Sequence, residues 1–397
     1  MRVTQMMLSQ SSLRNINQGY NRLANIQDQL ASGKKITRAS QDPVVAMKGM
    51  RYRSQVTEVE QFKRNLSETY NWLDTADATL DKGTGALQRI RELATQAAND
   101  SYNPTERANM AKEVQQLREH LESLGNTKNS NKYIFNGTNT TNAPIGNTGN
   151  MDLGIEALSN GSITDLDSVE VIYNGKTFKH IDTVDGQHIF QDVSQTTPAF
   201  DGDELNKQAT LLTVGEDNNV KYLEPNKAHD PNNPSSQPVT KKSVRQNDVV
   251  VANTNGVSGN SESVEIELIK GVTIPVNINP SNVFSNALFG DLTRLERALQ
   301  DSTVDGTELT GYIDNFYDHI DRFVTERAEL GARTNRVQMI ENRLMEQEVS
   351  ANRIMSENED AEMEVVITNL MTQESVHRAA LSSGARIIQP SLMDFLR

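Results

Sequence analysis

The chain has 397 residues, of which 36% are hydrophobic and 5% aromatic, with a formal net charge of −14 and no cysteine. The acidic balance excludes general nucleic-acid binding through a basic field, and the lack of cysteine excludes disulfides and thiolate metal sites. So few aromatic residues suit long two- or three-helix rods, whose surface is large for their volume, better than a compact enzyme.

Residues 1–12 hold one Arg and a polar-interrupted run instead of an apolar stretch. No cleaved secretory leader is expected from this, and no run of about 18 apolar residues is present for a membrane span. The expectation is a protein that stays in the cytosol or is exported without a cleaved leader. Leu13, Ile16, Tyr20, Leu23, Ile26 and Leu30 define a first amphipathic helix that stops at Ser32-Gly33. A polar loop follows, and Asp42-Pro43 supplies an N-cap and a first-turn proline for a second helix. That helix carries Val56, Val59, Phe62, Leu66, Tyr70, Leu73, Leu80, Leu87, Ile90 and Ala94 at heptad spacing, with a bend expected at Lys82-Gly83-Thr84-Gly85. Asn103-Pro104-Thr105-Glu106 reads as a capped helix start, and Gly125 ends that run. Lys132 to Phe135 favours a strand and Asn136-Gly137 a tight turn.

The texture changes between about Thr138 and Pro280. Val169, Val171 and Tyr173 alternate, Asn174-Gly175 turns, and Thr177 to Ile181 returns as a hairpin. Val264 to Leu268 and Val272 to Ile278 flank Lys270-Gly271 as another, while the prolines between Pro225 and Lys242 read as a loop or tether. Helical spacing resumes at Val283, with Ser281 as its expected cap. From Leu309 to Leu381 the apolar positions Ile313, Phe316, Ile320, Phe323, Leu330, Val337, Ile340, Leu344, Ala351 and Ile354 make a heptad seam. A polar break at Ser356 to Asp360 interrupts it before Met363, Val366 and Leu370 resume. The reading is one helix of about 70 residues, on the order of 100 Å long, which needs partner helices along its length.

The fold class expected is therefore mainly α with a β-rich insertion: a long antiparallel coiled-coil rod built from both termini, plus an inserted β domain. Charge supports the pairing of the ends. Residues 1–64 hold 11 Lys/Arg against 4 Asp/Glu, and residues 314–372 hold 6 Arg against 13 Asp/Glu. No catalytic, cofactor-binding or metal constellation stands out. The six histidines, His120, His180, His188, His229, His319 and His377, form no two-ligand helical pair. His319 and His377 read as surface or seam residues, and Gly83-Thr84-Gly85 lacks the strand that a phosphate loop needs.

Several motifs, in order at both ends, resemble the bacterial flagellin family, and within it the branch that joins hook to filament. They are Met1-Arg2-Val3-Thr4, Leu13-Arg14-Asn15-Ile16-Asn17, Leu30-Ala31-Ser32-Gly33-Lys34-Lys35-Ile36 and Arg38-Ala39-Ser40-Gln41-Asp42-Pro43. Tyr133-Ile134-Phe135-Asn136-Gly137-Thr138, Leu330-Gly331-Ala332-Arg333-Thr334-Asn335-Arg336, Glu359-Asp360-Ala361-Glu362-Met363 and Ser391-Leu392-Met393-Asp394-Phe395-Leu396 continue the likeness. It covers about 1–140 and 283–397. Gln41-Asp42 departs from an Asp-Asp pair common in the family, and Asn352 stands where filament subunits have Ser.

The resemblance implies a non-enzymatic structural adaptor of the bacterial flagellum, exported through the flagellar type III channel and located outside the cell at the hook-filament junction. It implies terminal segments that are disordered in the monomer and helical when assembled. The corresponding division is 1–42 as N-terminal assembly segment, 43–137 and 281–355 as the two halves of the rod, 138–280 as the variable insertion, and 356–397 as C-terminal assembly segment. The expected interface residues are Leu13, Ile16, Tyr20, Leu23 and Leu30 at one end, and Val366, Leu370, Leu381, Ile388, Leu392, Phe395 and Leu396 at the other. The implied partners are a ring of like subunits, hook-associated protein 1, flagellin and an export chaperone on the C-terminal segment. Neither nucleic acid nor membrane is implied, and no cofactor. A filament subunit is the alternative within the family, and a cytosolic coiled-coil scaffold or signalling protein the alternative outside it.

Overall fold

In this computed structural model the described residues are 5–388, apart from 100–101, 147, 164, 175, 195–199, 202–203, 206–208, 216 and 226–238. In chain order α1 is Gln5–Ser32, α2 Pro43–Ala97 and α3 Pro104–Gly125, followed by a small hairpin of β1 (Lys128–Asn129) and β2 (Lys132–Tyr133). After α4 (Ile155–Ser159) come β3 (Val169–Tyr173), β4 (Lys176–Val184), β5 (Gln187–Asp192), β6 (Phe200–Asp201), β7 (Glu204–Leu205), β8 (Leu211–Val214) and β9 (Val220–Pro225). The strands end with β10 (Val239–Val244), β11 (Val249–Asn253), β12 (Glu265–Ile269) and β13 (Val272–Pro275). The chain closes with α5 (Pro280–Val283), α6 (Asn286–Gln300), α7 (Gly306–Glu359) and α8 (Met363–Ile388). It is mainly helical with a β-rich insertion. Its residues divide into two compact units, one of Met1–Arg64 with Met339–Arg397 and one of Asn65–Gln338.

The helix starts follow from their caps. The Asp42 side chain accepts from the Val44 and Val45 amides at 2.9 and 3.1 Å, with Pro43 in the first turn. Asn103 and Glu106 complete a reciprocal capping box at α3. Four expectations are corrected. The single helix over 309–381 is two, α7 and α8, separated at residues 360–362. The helix expected from Ser281 is also two, with Asn279 capping the short α5 and Ser285 capping α6. Only Lys132 and Tyr133 of the 132–135 run pair as strand, because Ile134 and Phe135 turn inward and Phe135 stacks edge-on against Phe284, centroids 5.1 Å apart. Finally, α2 runs unbroken through Gly83-Thr84-Gly85. A Cβ at Gly83 would meet Phe323 Cε1 at 2.5 Å, so this glycine is spent on close approach of α7 instead of on a bend.

In the larger unit Leu73, Leu80, Leu87, Ile90, Phe289, Leu292, Phe316 and Phe323 are buried along facing stripes of α2, α6 and α7. Arg327 of α7 reaches Asp77 and Asp81 of α2 at 2.9 and 2.7 Å. The 323/83 and 327/77 pairings set these stretches antiparallel. His319, expected at a surface or seam, is buried against Asp291 at 2.9 Å.

Both expected hairpins form, β3–β4 and β12–β13. The first belongs to a seven-stranded antiparallel sheet of order β10-β9-β8-β5-β4-β3-β11. Its two edge strands are consecutive in sequence. Five Cα steps from Val244 to Val249 span at most about 18 Å, whereas six spacings across a flat sheet are about 29 Å. The sheet therefore curls until the end of β10 meets the start of β11. The inner face this creates is filled by Val171, Phe178, Phe190, Leu212, Val214, Val220, Val249 and Val251, with Ile155 and Leu158 of α4 packed among them. Ile172 and Val250 point the other way and pack on Ala287 of α6. Exposed Lys241 and Lys242 guard the β10 edge.

Candidate assembly interface

The smaller unit is built from α1, the first part of α2, the last part of α7, and α8. Its α1 and α8 run antiparallel. A Cβ at Gly384 would lie 3.0 Å from Ile16 Cδ1, and one at Gly19 would lie 3.6 Å from the His377 ring. Small residues at both crossings let two Gln- and Ser-rich helices approach closely. The Tyr20 and His377 rings face each other at 6.2 Å.

The turn from α1 to α2 and the break from α7 to α8 are clasped together. Gly33, with φ of +69°, ends α1 in the left-handed region. The Lys35 amide donates to the Glu359 carbonyl at 2.7 Å and the Ala361 amide to the Gly33 carbonyl at 2.8 Å. This backbone pairing draws residues 360–362 out of the helix, which is why the heptad run breaks there. The Glu359 side chain, 4% exposed, receives Lys34 Nζ at 2.7 Å and a two-pronged Arg53, Nε at 2.6 Å and Nη2 at 2.8 Å. These charge-assisted bonds, chiefly that from Arg53 and then that from Lys34, hold the Glu359 carboxyl below its ordinary pKa against the opposing effect of burial. A Cβ at Gly49 would lie 2.8 Å from Glu359 Oε1, so α2 presents a glycine where the carboxylate must fit. Farther along, Lys63 meets Glu348 at 2.9 Å. The basic N-terminal and acidic C-terminal stretches are thus joined side by side within this unit.

The interface residues named from the sequence fall into three groups. Val366 is buried, and Ile16, Leu23, Leu30 and Leu370 are half-buried, all within the unit. Leu13, Tyr20 and Leu381 are exposed at 49%, 62% and 48%. Ile388 ends α8, and Leu392, Phe395 and Leu396 lie outside the described residues. Reading one heptad seam missed further exposed apolar side chains on either flank of it. Val365, Ile367, Met371 and Val376 of α8 are exposed, as are Val44, Met47 and Met50 of α2. The signal was in the sequence, because Val365-Val366-Ile367 and Leu370-Met371 put apolar side chains on more than one face of the same helix. A two-helix contact covers one stripe of each helix, so these flanking side chains stay exposed within the unit. Among the described residues no group of three or more His, Asp or Glu is placed to hold a metal ion.

The model of the bacterial flagellin N-terminal helical region matches residues 3–140. Over 233 residues the chain is 25% identical to flagellar hook-associated protein 3 of Salmonella typhimurium, covering 56% of this chain and 70% of that protein. Over 125 residues it is 30% identical to a flagellin of Clostridium tyrobutyricum, covering 32% of this chain and 33% of that one. The chain thus spans from 33% to 70% of the length of these two relatives. In fold it is similar to the solved structure of a flagellar hook-associated protein from Vibrio parahaemolyticus, with a TM-score of 0.50, 14% identity, and coverage of 81% of this chain and 100% of that one. Motifs at the N-terminal end, a shared helical fold, and relatives of both kinds agree: over its N-terminal third the chain matches the flagellin N-terminal helical region, and it is similar to flagellins and to hook-associated protein 3.

Proposed function

We propose that this protein is a passive structural adaptor of the bacterial flagellum, seated where the hook meets the filament and required for motility. The observation that carries the reading is the set of exposed apolar side chains of α2 and α8 beside an already paired α1–α8 seam. Burying each such side chain is worth about 1.5–3 kcal/mol, which is enough to hold a ring of like subunits once several are covered together. In this reading residues 1–42 and 356–397 are assembly segments, 43–137 and 281–355 form the load-bearing helices, and 138–280 is the outward variable domain. Leu13, Tyr20 and Leu381, with Ile388, Leu392, Phe395 and Leu396, meet neighbouring subunits. Ile16, Leu23, Leu30, Val366 and Leu370 hold the segment's own helices together. Hook-associated protein 1 lies below the ring and flagellin above it. An export chaperone covers the C-terminal segment before assembly.

The experiment is quantitative mass spectrometry of sheared flagella. A junction adaptor is a trace component, at about the copy number of one ring. A copy number comparable to the dominant subunit moves the reading to filament subunit, which the flagellin relatives favour. Absence from the flagellum altogether moves it to a cytosolic scaffold.

A further inference from the structure

A cleft of about 390 Å³ lies in the larger unit between α6, the start of α7 and the loops flanking α4 and β11. Its wall includes Asp152, Ile155, Gln246, Arg294, Arg297 and Tyr312. Arg294 is only 7% exposed, and neither of its buried Nη nitrogens has a hydrogen-bond partner. Its Nη1 lies 3.6 Å from Asp291 Oδ1, an ion pair too long to be a hydrogen bond. The guanidinium carbon sits 5.8 Å from the centre of the Tyr312 ring, a cation–π contact at the cleft wall.

The neighbouring carboxylate of Asp152 lies near enough for its charge to act on Arg294 but makes no hydrogen bond to it. Asp152 takes both Nη groups of Arg297, one on Oδ2 at 3.1 Å and one on its own carbonyl at 3.0 Å. Its Oδ1 accepts the Gly154 and Val251 amides at 3.2 and 3.3 Å. A guanidinium does not shed its proton in a protein, and a buried donor without an acceptor is costly. Four N–H bonds in one plane match the two oxygens of a carboxylate. Glu156 and Asp301 also line the cleft and are exposed. Their charge opposes any anion, and a multiply charged one most, while Ile155, Val249, Ala298 and Val304 offer a partly apolar wall to the rest of the ligand.

We infer that this cleft is a binding site for a small monocarboxylate, recognised by Arg294 through a forked contact. The site lies wholly within the larger unit, so it stands or falls apart from the assembly reading.

The test is saturation-transfer NMR on the full chain, with sodium acetate as probe at constant ionic strength. Saturable transfer to the acetate methyl is expected in the parent protein. Transfer is expected to vanish in Arg294→Gln and to fall at least about tenfold in Arg294→Lys, which keeps the charge but loses the fork. Ala298→Trp fills the cleft while leaving Arg294 in place and is expected to abolish transfer. It decides the matter if the Arg294 variants do not fold. No transfer in the parent protein, or transfer undiminished in a natively folded Ala298→Trp, overturns the proposal. Displacement of acetate by equimolar sulfate overturns the selectivity for a single charge.

Discussion

Glu359 is the residue on which the clasp of the smaller unit turns. A carboxylate held below its ordinary pKa contributes stability that is complete above its unfolded value and is lost as pH falls through the folded one. Acid therefore weakens the α1–α8 pair, and neutral pH does not. Replacing Glu359 by Gln keeps the shape but leaves Lys34 and Arg53 without their counter-charge. Because both cations are partly in water, the expected loss is about 1–2 kcal/mol. Urea melts followed by circular dichroism should show this loss at pH 7, and the gap between variant and parent should close toward pH 3. A gap that stays constant with pH would mean that the Glu359 charge plays no part.

At the scale of elements, close approaches decide more than propensities do. Gly83→Ala adds a better helix former, worth about 1 kcal/mol in isolation, yet places a methyl against the Phe323 ring. Overpacking of this kind costs about 1–3 kcal/mol, so net destabilisation is expected, read as a lowered melting temperature. Asn103→Ala removes the side-chain half of the α3 capping box, the acceptor for the Glu106 amide, while the Asn103 backbone N–H keeps its bond to Glu106, and is expected to cost about 1 kcal/mol by the same measurement. These elements also show what was legible in the sequence. Asp42-Pro43 and Asn103-Pro104-Thr105-Glu106 announced helix starts through local chemistry alone. The break at 360–362 was foreshadowed by polar residues, but its position is set by backbone pairing with Gly33 and Lys35, more than 320 positions away in sequence. The curl of the sheet could not be read, because β5, β8 and β9 are short and their register comes from the shared inner core. Arg294 hid in plain view. It sits on a helix among leucines, three residues from an Arg that is properly paired, and only the fold shows that its charge is buried.

For the whole molecule, the exposed apolar side chains on the two flanks of α8 make a separable prediction. Met371→Asp combined with Val376→Asp puts charge on side chains that are 65% and 54% exposed. Stability of the isolated chain should move by no more than about 0.5 kcal/mol, while incorporation into flagella, measured by co-sedimentation, should be lost. Equal loss of both would place these residues in the core instead.

The clasp also fixes an order of events. Lys34 and Glu359 are 325 positions apart, whereas the pairings within the seven-stranded sheet close much shorter loops. Closing the longer loop is the more costly search for a free chain. However the polypeptide emerges, from a ribosome or from a narrow pore, its first end must wait for its last. A chain cut short by even the final helix has no partner for α1. The terminal pair therefore forms only once both ends of the chain are free to meet.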